Sequence, residues 1–269
     1  MSLAFVDRDP TAQELERLRL ILSTYQDGSG MLVTKSSTLP GWRDFERAVA
    51  ATFGGIAQES KAVFDVLLLD EQNRILLYGL SCKMREELDK VNRTGRVTME
   101  LSNSAKAFWS HLGSRNITQS NYRSYPAETG TALIELVRSW HDAVSTEHGG
   151  RIDTSRSYYL VLSYNLQRGA YQLHQFSLQL PDPASLEWYF PSVVRLGTEA
   201  EGKRLTGRDD TGIVFEWYGE SGGQLKYYPL AQNAIWQSRL FELEPLPAEQ
   251  PLSILLKKAR DYFPDKWVE

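Results

Sequence analysis

The feature that most constrains this chain is the stretch KAVFDVLLLDEQNRILLYGLSCKMREE, residues 61–87. Two apolar runs of strand length flank the polar segment DEQNR, which is the pattern of a hairpin. Side chains two apart on a strand share a face. Ser81 and Lys83 therefore project together, with Leu77 and Gly79 on the same side. On the preceding strand Asp65 shares its face with Leu67 and Leu69. An aspartate set among Val, Phe and Leu is costly to bury without partners, and so is a lysine that follows ILLYGLSC. Two opposite charges at the ends of adjoining apolar strands attract each other, or a shared cation. For Asp65 and Ser81 to lie on one face of antiparallel strands, paired residue numbers must sum to an even value. That excludes a two-residue turn and predicts a loop of three or five residues, or a bulge.

Composition sets the outer bounds. The 269 residues suffice for one large domain or two small ones. No apolar run approaches the ~20 residues that cross a bilayer, and the start lacks a basic-then-apolar signal, so a cytoplasmic protein with no membrane partner is expected. The single cysteine, Cys82, rules out an internal disulfide and fits a reducing compartment. It alternates away from Ser81 and reads as a core thiol. A net charge of −4 carries no nucleic-acid footprint. Yet residues 101–126 hold no acidic residue, while Lys106, Arg115 and Arg123 are interleaved with Ser, Asn, Gln, Tyr and Trp. That composition suits a DNA-contacting segment and a polar surface loop equally.

Along the chain, Thr11 and Glu14 stand at capping-box spacing before Leu15, Leu18 and Leu22. LPGWRDFERAVAATFGG predicts a second helix with Phe45, Val49 and Phe53 as its apolar stripe and Gly54 as its stop. Glu46 borders that stripe. A short strand over 96–101 leads into a helix capped by Ser102 or Ser104, and a long helix is expected over 131–148. It buries Leu133, Leu136, Val137, Trp140 and Val144 and leaves His141 on the surface. SYYLVLSYN, AYQLHQFSLQL, GIVFEWYG and QLKYYPL read as strands, and LSILLKKARDYF as a closing helix. SGGQLKYYP reads as a plain hairpin, with presentation of Lys226 to DNA as its second reading. The fold class is α+β, a mixed central sheet flanked by helices with a strand-rich C-terminal half. A single domain over 1–269 is expected, divisible into a core at 1–150 and a strand-rich part at 151–269.

The four histidines show no metal-ligand spacing, and no P-loop, dinucleotide-binding glycine pattern or nucleophile elbow occurs. What stands out is Asp65, Ser81, Lys83 and the helix carboxylate Glu46. They fit a half-buried ion pair at a sheet edge, or a carboxylate metal site with a lysine beside it.

FDV…LSCKMR, preceded by WRDFE and followed by RVTMELSNSAKAFW, resembles the core of the PD-(D/E)xK nucleases, and among them the type II restriction endonucleases. The resemblance covers roughly residues 42–112. It implies a restriction-endonuclease-like fold, a Mg²⁺ cofactor and hydrolysis of phosphodiester bonds in double-stranded DNA. Carried over by position, Asp65 is the metal ligand, Lys83 the catalytic lysine and Glu46 the helix carboxylate. Phe64 stands where proline is usual. Ser81 stands where a second carboxylate is usual, and a neutral hydroxyl is a poor ligand for a hard dication. The S-x-K form implies a recruited glutamate, either Glu46 or Glu100, with Glu59, Glu86 and Glu87 as weaker, solvated candidates. DNA contacts are expected from Asn103, Ser104, Lys106, Arg115, Asn116, Gln119, Asn121 and Arg123. The resemblance further implies a homodimer for a palindromic site and a cognate DNA methyltransferase. The alternatives are a repair or phage-defence nuclease of the same fold, and a degenerate site that only binds DNA.

Overall fold

The hairpin forms in the expected register and organises half of the molecule. The computed structural model describes residues 2–35, 37–58, 63–70, 76–195, 198–247 and 251–267. Before the hairpin come α1 (Ala12–Thr24) and α2 (Trp42–Phe53). The Thr11–Glu14 capping box starts α1, and α2 stops at Gly54, whose φ of 72° lies in the left-handed region. Strands β1 (Ile56–Ala57), β2 (Val66–Leu69) and β3 (Leu77–Arg85) then run as an antiparallel meander. Each of the four β2–β3 pairs, from Val66–Leu80 to Leu69–Leu77, has an even sum, without a bulge. The turn itself, 71–75, lies outside the described residues.

Helix α3 (Leu88–Thr94) and β4 (Met99–Ser102) follow, then α4 (Ala105–Gly113) and α5 (Pro126–Asp142). The long helix is therefore placed earlier than its pattern suggests. Pro126 sits in its first turn, where a missing N–H costs nothing, and a separate short turn at Thr146–His148 precedes the two glycines. Strand β5 (Tyr158–Asn165) returns parallel to β3, and β6 (Ala170–Ser177) pairs antiparallel with β5. Strands β7 (Glu187–Tyr189), β8 (Leu205–Asp209), β9 (Gly212–Tyr218) and β10 (Gln224–Tyr227) complete the middle of the chain. The short β11 (Trp236–Gln237) and β12 (Phe241–Glu242) both pair with β6, and α6 (Pro251–Tyr262) follows.

Two large sheets result. The first is mixed, in the order β11-β6-β5-β3-β2-β1; the second is antiparallel, in the order β4-β10-β9-β8-β7. The architecture is α+β with a mixed sheet flanked by helices. The strands do not follow the midpoint of the chain: β5 and β6 join the first sheet, and β4 forms one edge of the second. One apolar cluster packs Phe45, Ala48 and Val49 of α2 against Val66, Leu80 and Leu160. The other joins Phe64, Tyr159 and Val161 to α4, α5 and the inner face of the second sheet, including Phe215, Trp217 and Leu225. Buried aliphatic and aromatic side chains of this kind contribute roughly 1.5–3 kcal/mol each. Among the described residues no helix is long and apolar enough to cross a membrane.

Candidate active site

Strand β3 supplies Ser81 and Lys83, and the hairpin register brings Asp65 opposite them. The Asp65 amide donates to the Leu80 carbonyl at 3.1 Å, which carries the ladder one residue beyond β2. Lys83 Nζ lies 3.2 Å from Asp65 Oδ2, and Ser81 Oγ lies 3.4 Å from the same oxygen. Both contacts fall on Oδ2. The Lys83 and Asp65 side chains are 18% and 26% exposed, so the pair is partly dehydrated yet still in contact with solvent. Cys82, on the opposite face, is buried in the cluster beneath α2, and burial pushes its thiol pKa well up.

Glu46 reaches this end of the sheet from α2. It lies on the turn between Phe45 and Val49, and packing of that stripe carries its carboxyl inward until the residue is 3% exposed. Arg43, one turn earlier, donates from Nη1 to Glu46 Oε2 at 2.8 Å and to the Gln58 carbonyl at 3.1 Å. The Gln58 amide in turn donates to the Asp65 carbonyl at 2.8 Å. A chain of bonds thus ties the start of α2 to the backbone of Asp65. Burial raises the pKa of the Glu46 carboxyl; the Arg43 hydrogen bond opposes this, the Asp65 charge adds to it, and Lys83 lowers it. Glu46 is therefore within electrostatic reach of both charges of the hairpin pair.

Glu100 has a different setting. On β4 its carboxylate is engaged by Arg85 and by Gln224 Nε2. Arg85 lies two residues past Lys83 on the same face of β3, so Glu100 stands beyond the lysine, held by the next side chain of that row. Glu86 is exposed, as expected. Glu87 is not simply solvated: it is half-buried and accepts from Lys90 at 2.9 Å and from Thr98. Glu59 lies outside the described residues.

Among the described residues no group of three or more His, Cys, Asp or Glu side chains is placed to hold a metal ion. Asp65 and Glu46 are the two carboxylates on offer. That number suits Mg²⁺, which commonly takes one or two carboxylates and fills its other positions with water and substrate phosphate. Burial is the main reason for the raised proton affinity of Glu46 and the Asp65 charge adds to it; a nearby cation would favour the ionised form.

His141 is not the surface residue its helical position suggests. Its ring stacks on Phe64 at 5.8 Å and lies 6.0 Å from that of Tyr159; burial lowers its pKa to about 4, and Lys83 adds to that shift. The eight polar residues of the expected DNA-contacting segment divide. Asn103, Ser104 and Lys106 are exposed at the start of α4, and Asn116 and Gln119 are also exposed. Asn121 is spent on its own loop, accepting from the Thr118 amide at 2.7 Å and donating to the Asn116 carbonyl at 3.0 Å. Arg115 pairs with Glu135, and Arg123 with Glu220 at 2.8 Å. Two residues of the site escaped the sequence reading, Arg43 and Arg85. Both had a signal: Arg43 lies three residues before Glu46 on a helix, and Arg85 two after Lys83 on a strand.

No protein-family model matches the chain, and comparison with curated proteins and with solved structures gives no match either, so the functional reading rests on this geometry.

Proposed function

We propose that the protein is a Mg²⁺-dependent endonuclease that hydrolyses phosphodiester bonds in double-stranded DNA, of the type II restriction class and with a restriction-endonuclease-like core. One observation carries the reading. Asp65, Ser81 and Lys83, from adjoining strands, converge beside the start of β2, and the Glu46 carboxyl, brought in by α2, is electrostatically coupled to both charges of that pair.

Asp65 and Glu46 would hold the metal, which supplies charge screening for the phosphate and a more acidic bound water. Lys83, held beside Asp65 with its side chain partly exposed, would orient the attacking water and draw charge from a phosphate oxygen. Asp65 fixes the Lys83 ammonium by their 3.2 Å contact, and Ser81 fixes the Asp65 carboxylate. The Arg43 hydrogen bond favours the ionised form of Glu46 and works against its burial. A palindromic target calls for two copies about a two-fold axis, each cutting one strand, and a restriction role calls for a partner methyltransferase.

A second reading, a module that binds DNA without cutting it, is favoured by the neutral Ser81 and by an Asp65 already balanced by Lys83. Incubation of plasmid with protein and Mg²⁺ separates them. Discrete fragments support the restriction enzyme, end-trimming supports a repair nuclease, and intact DNA with a mobility shift supports the binding module. D65A and K83A are each expected to lower cleavage about 10³-fold. Unchanged cleavage in both would remove this site from consideration.

A further inference from the structure

The face of β3 that carries Lys83 does not end there. Arg85 follows two residues on, about 7 Å along the strand, and leads through Glu100 onto the outer face of the second sheet. Across that sheet the register sets Glu100 beside Lys226 and Lys226 beside Glu216. The row thus passes from the candidate active site to a second group of charges on β9 and β10.

Every carboxylate in this group already has its own donors. Glu100 is held by Arg85 and Gln224. Glu216, only 6% exposed, accepts from Arg204 at 3.0 Å, from Tyr218 Oη at 3.0 Å and from Tyr228 Oη at 2.5 Å. Glu87 is held by Lys90 and Thr98. Lys226 is left over. Among the described residues its half-buried ammonium makes no hydrogen bond and no ion pair, and rests 5.1 Å from the centre of the Tyr218 ring. The cations Arg85, Lys90, Arg204 and Lys226 outnumber the acids Glu87, Glu100 and Glu216 by one. Burial lowers the Lys226 pKa, and Arg85 and Lys90 lower it further against the pull of Glu87 and Glu216. The ammonium is thus poorly compensated where it stands, and an added anion would compensate it.

We infer that Lys226, with Arg85 beside it, is a binding position for a backbone phosphate of nucleic acid, next along the strand from the one presented to Lys83. The inference rests on the proposed nuclease reading and extends it. Its chemistry is that of a phosphodiester oxygen: a point charge from Lys226, the added positive charge of Arg85, whose guanidinium also holds Glu100, and the Tyr218 ring as a low-dielectric wall. The step from Lys83 to Arg85 is of the size that separates adjoining phosphates on one strand. No base edge need be read there, so the position adds affinity without sequence preference.

The test is binding of a labelled DNA duplex by fluorescence anisotropy over a range of salt concentrations, with Ca²⁺ in place of Mg²⁺ to suppress cleavage. K226Q is expected to weaken binding about 5- to 20-fold and to reduce the slope of log affinity against log salt by about one, equally for different sequences. K226R keeps the charge and should restore the slope, while thermal unfolding of both variants checks the fold. If K226Q and wild type share one affinity and one slope, the inference is overturned and the nuclease reading stands. If the K226Q slope falls but wild type cuts nothing in Mg²⁺, the phosphate position stands and the nuclease reading falls. If wild type binds no duplex at all, both are overturned.

Discussion

Two glutamates compete for the place that Ser81 leaves without a carboxylate, and their surroundings separate them. Glu46 is carried inward by the packing of an amphipathic helix. It is almost dry, has Arg43 as its one cationic partner among the described residues, and its pKa is raised by burial and by the Asp65 charge. Glu100 lies on an edge strand, 20% exposed, with Arg85 and Gln224 both bonded to it. A carboxylate that is buried and incompletely balanced gains most from a divalent cation; one already satisfied by a guanidinium and an amide gains little and must first give up those bonds. The contrast is between a buried, incompletely balanced carboxylate and one used to join two sheets.

The comparison breaks most readily on cleavage. E46Q is expected to lower the rate of Mg²⁺-supported plasmid cleavage about 10²-fold or more, and E100Q less than about 10-fold. The reverse order would give the role to Glu100. Next comes pH. Glu46 must lose its proton to ligate, and its pKa is raised, so single-turnover cleavage should climb through a pH range above that of an ordinary glutamate, whose pKa is about 4.3. A profile flat from pH 4.5 upward would detach catalysis from this residue.

The smallest effect is on stability, and there the two glutamates should differ in sign. With a folded-state pKa above the unfolded value, the stability linked to Glu46 is fully present below the unfolded pKa and is lost as pH rises through the folded one. At pH 8 E46Q removes that loss, so its thermal midpoint should equal or exceed that of wild type. E100Q removes a surface ion pair and should cost about 0.5 kcal/mol. A midpoint for E46Q several degrees below wild type would show that Glu46 is held mainly for structure.

The hairpin was legible because strand alternation is local. Asp65, Ser81 and Lys83 share a face by parity alone, and the ladder keeps that parity. Glu46 was legible as a residue bordering a buried stripe. That its stripe packs over the end of the sheet holding Asp65 was not, since this depends on how α2 crosses β2 and β3. His141 was misjudged for the same reason: its helix offers it to solvent until Phe64 arrives from the segment just before β2, some 77 residues earlier. Glu100 stayed ambiguous because β4 pairs with β10, far along the chain, and long-range antiparallel pairing leaves no local trace. Part of the polar segment misled because composition does not separate a side chain that faces solvent from one, such as Asn121, that closes its own loop.

Gly79 gives the hairpin a mechanical property. A Cβ built there would lie 2.2 Å from the Phe64 ring, so that ring rests directly on the backbone of β3. The residue before the aspartate is thereby latched to the strand that bears the lysine, through a surface no side chain interrupts. The two halves of the site are set as one piece, and even a single methyl group at position 79 would act as a wedge between them. Alanine there alters none of the charges. It should still spoil the alignment of Asp65 with Lys83, which makes the plainest residue in the strand the one that sets the tolerance of the whole site.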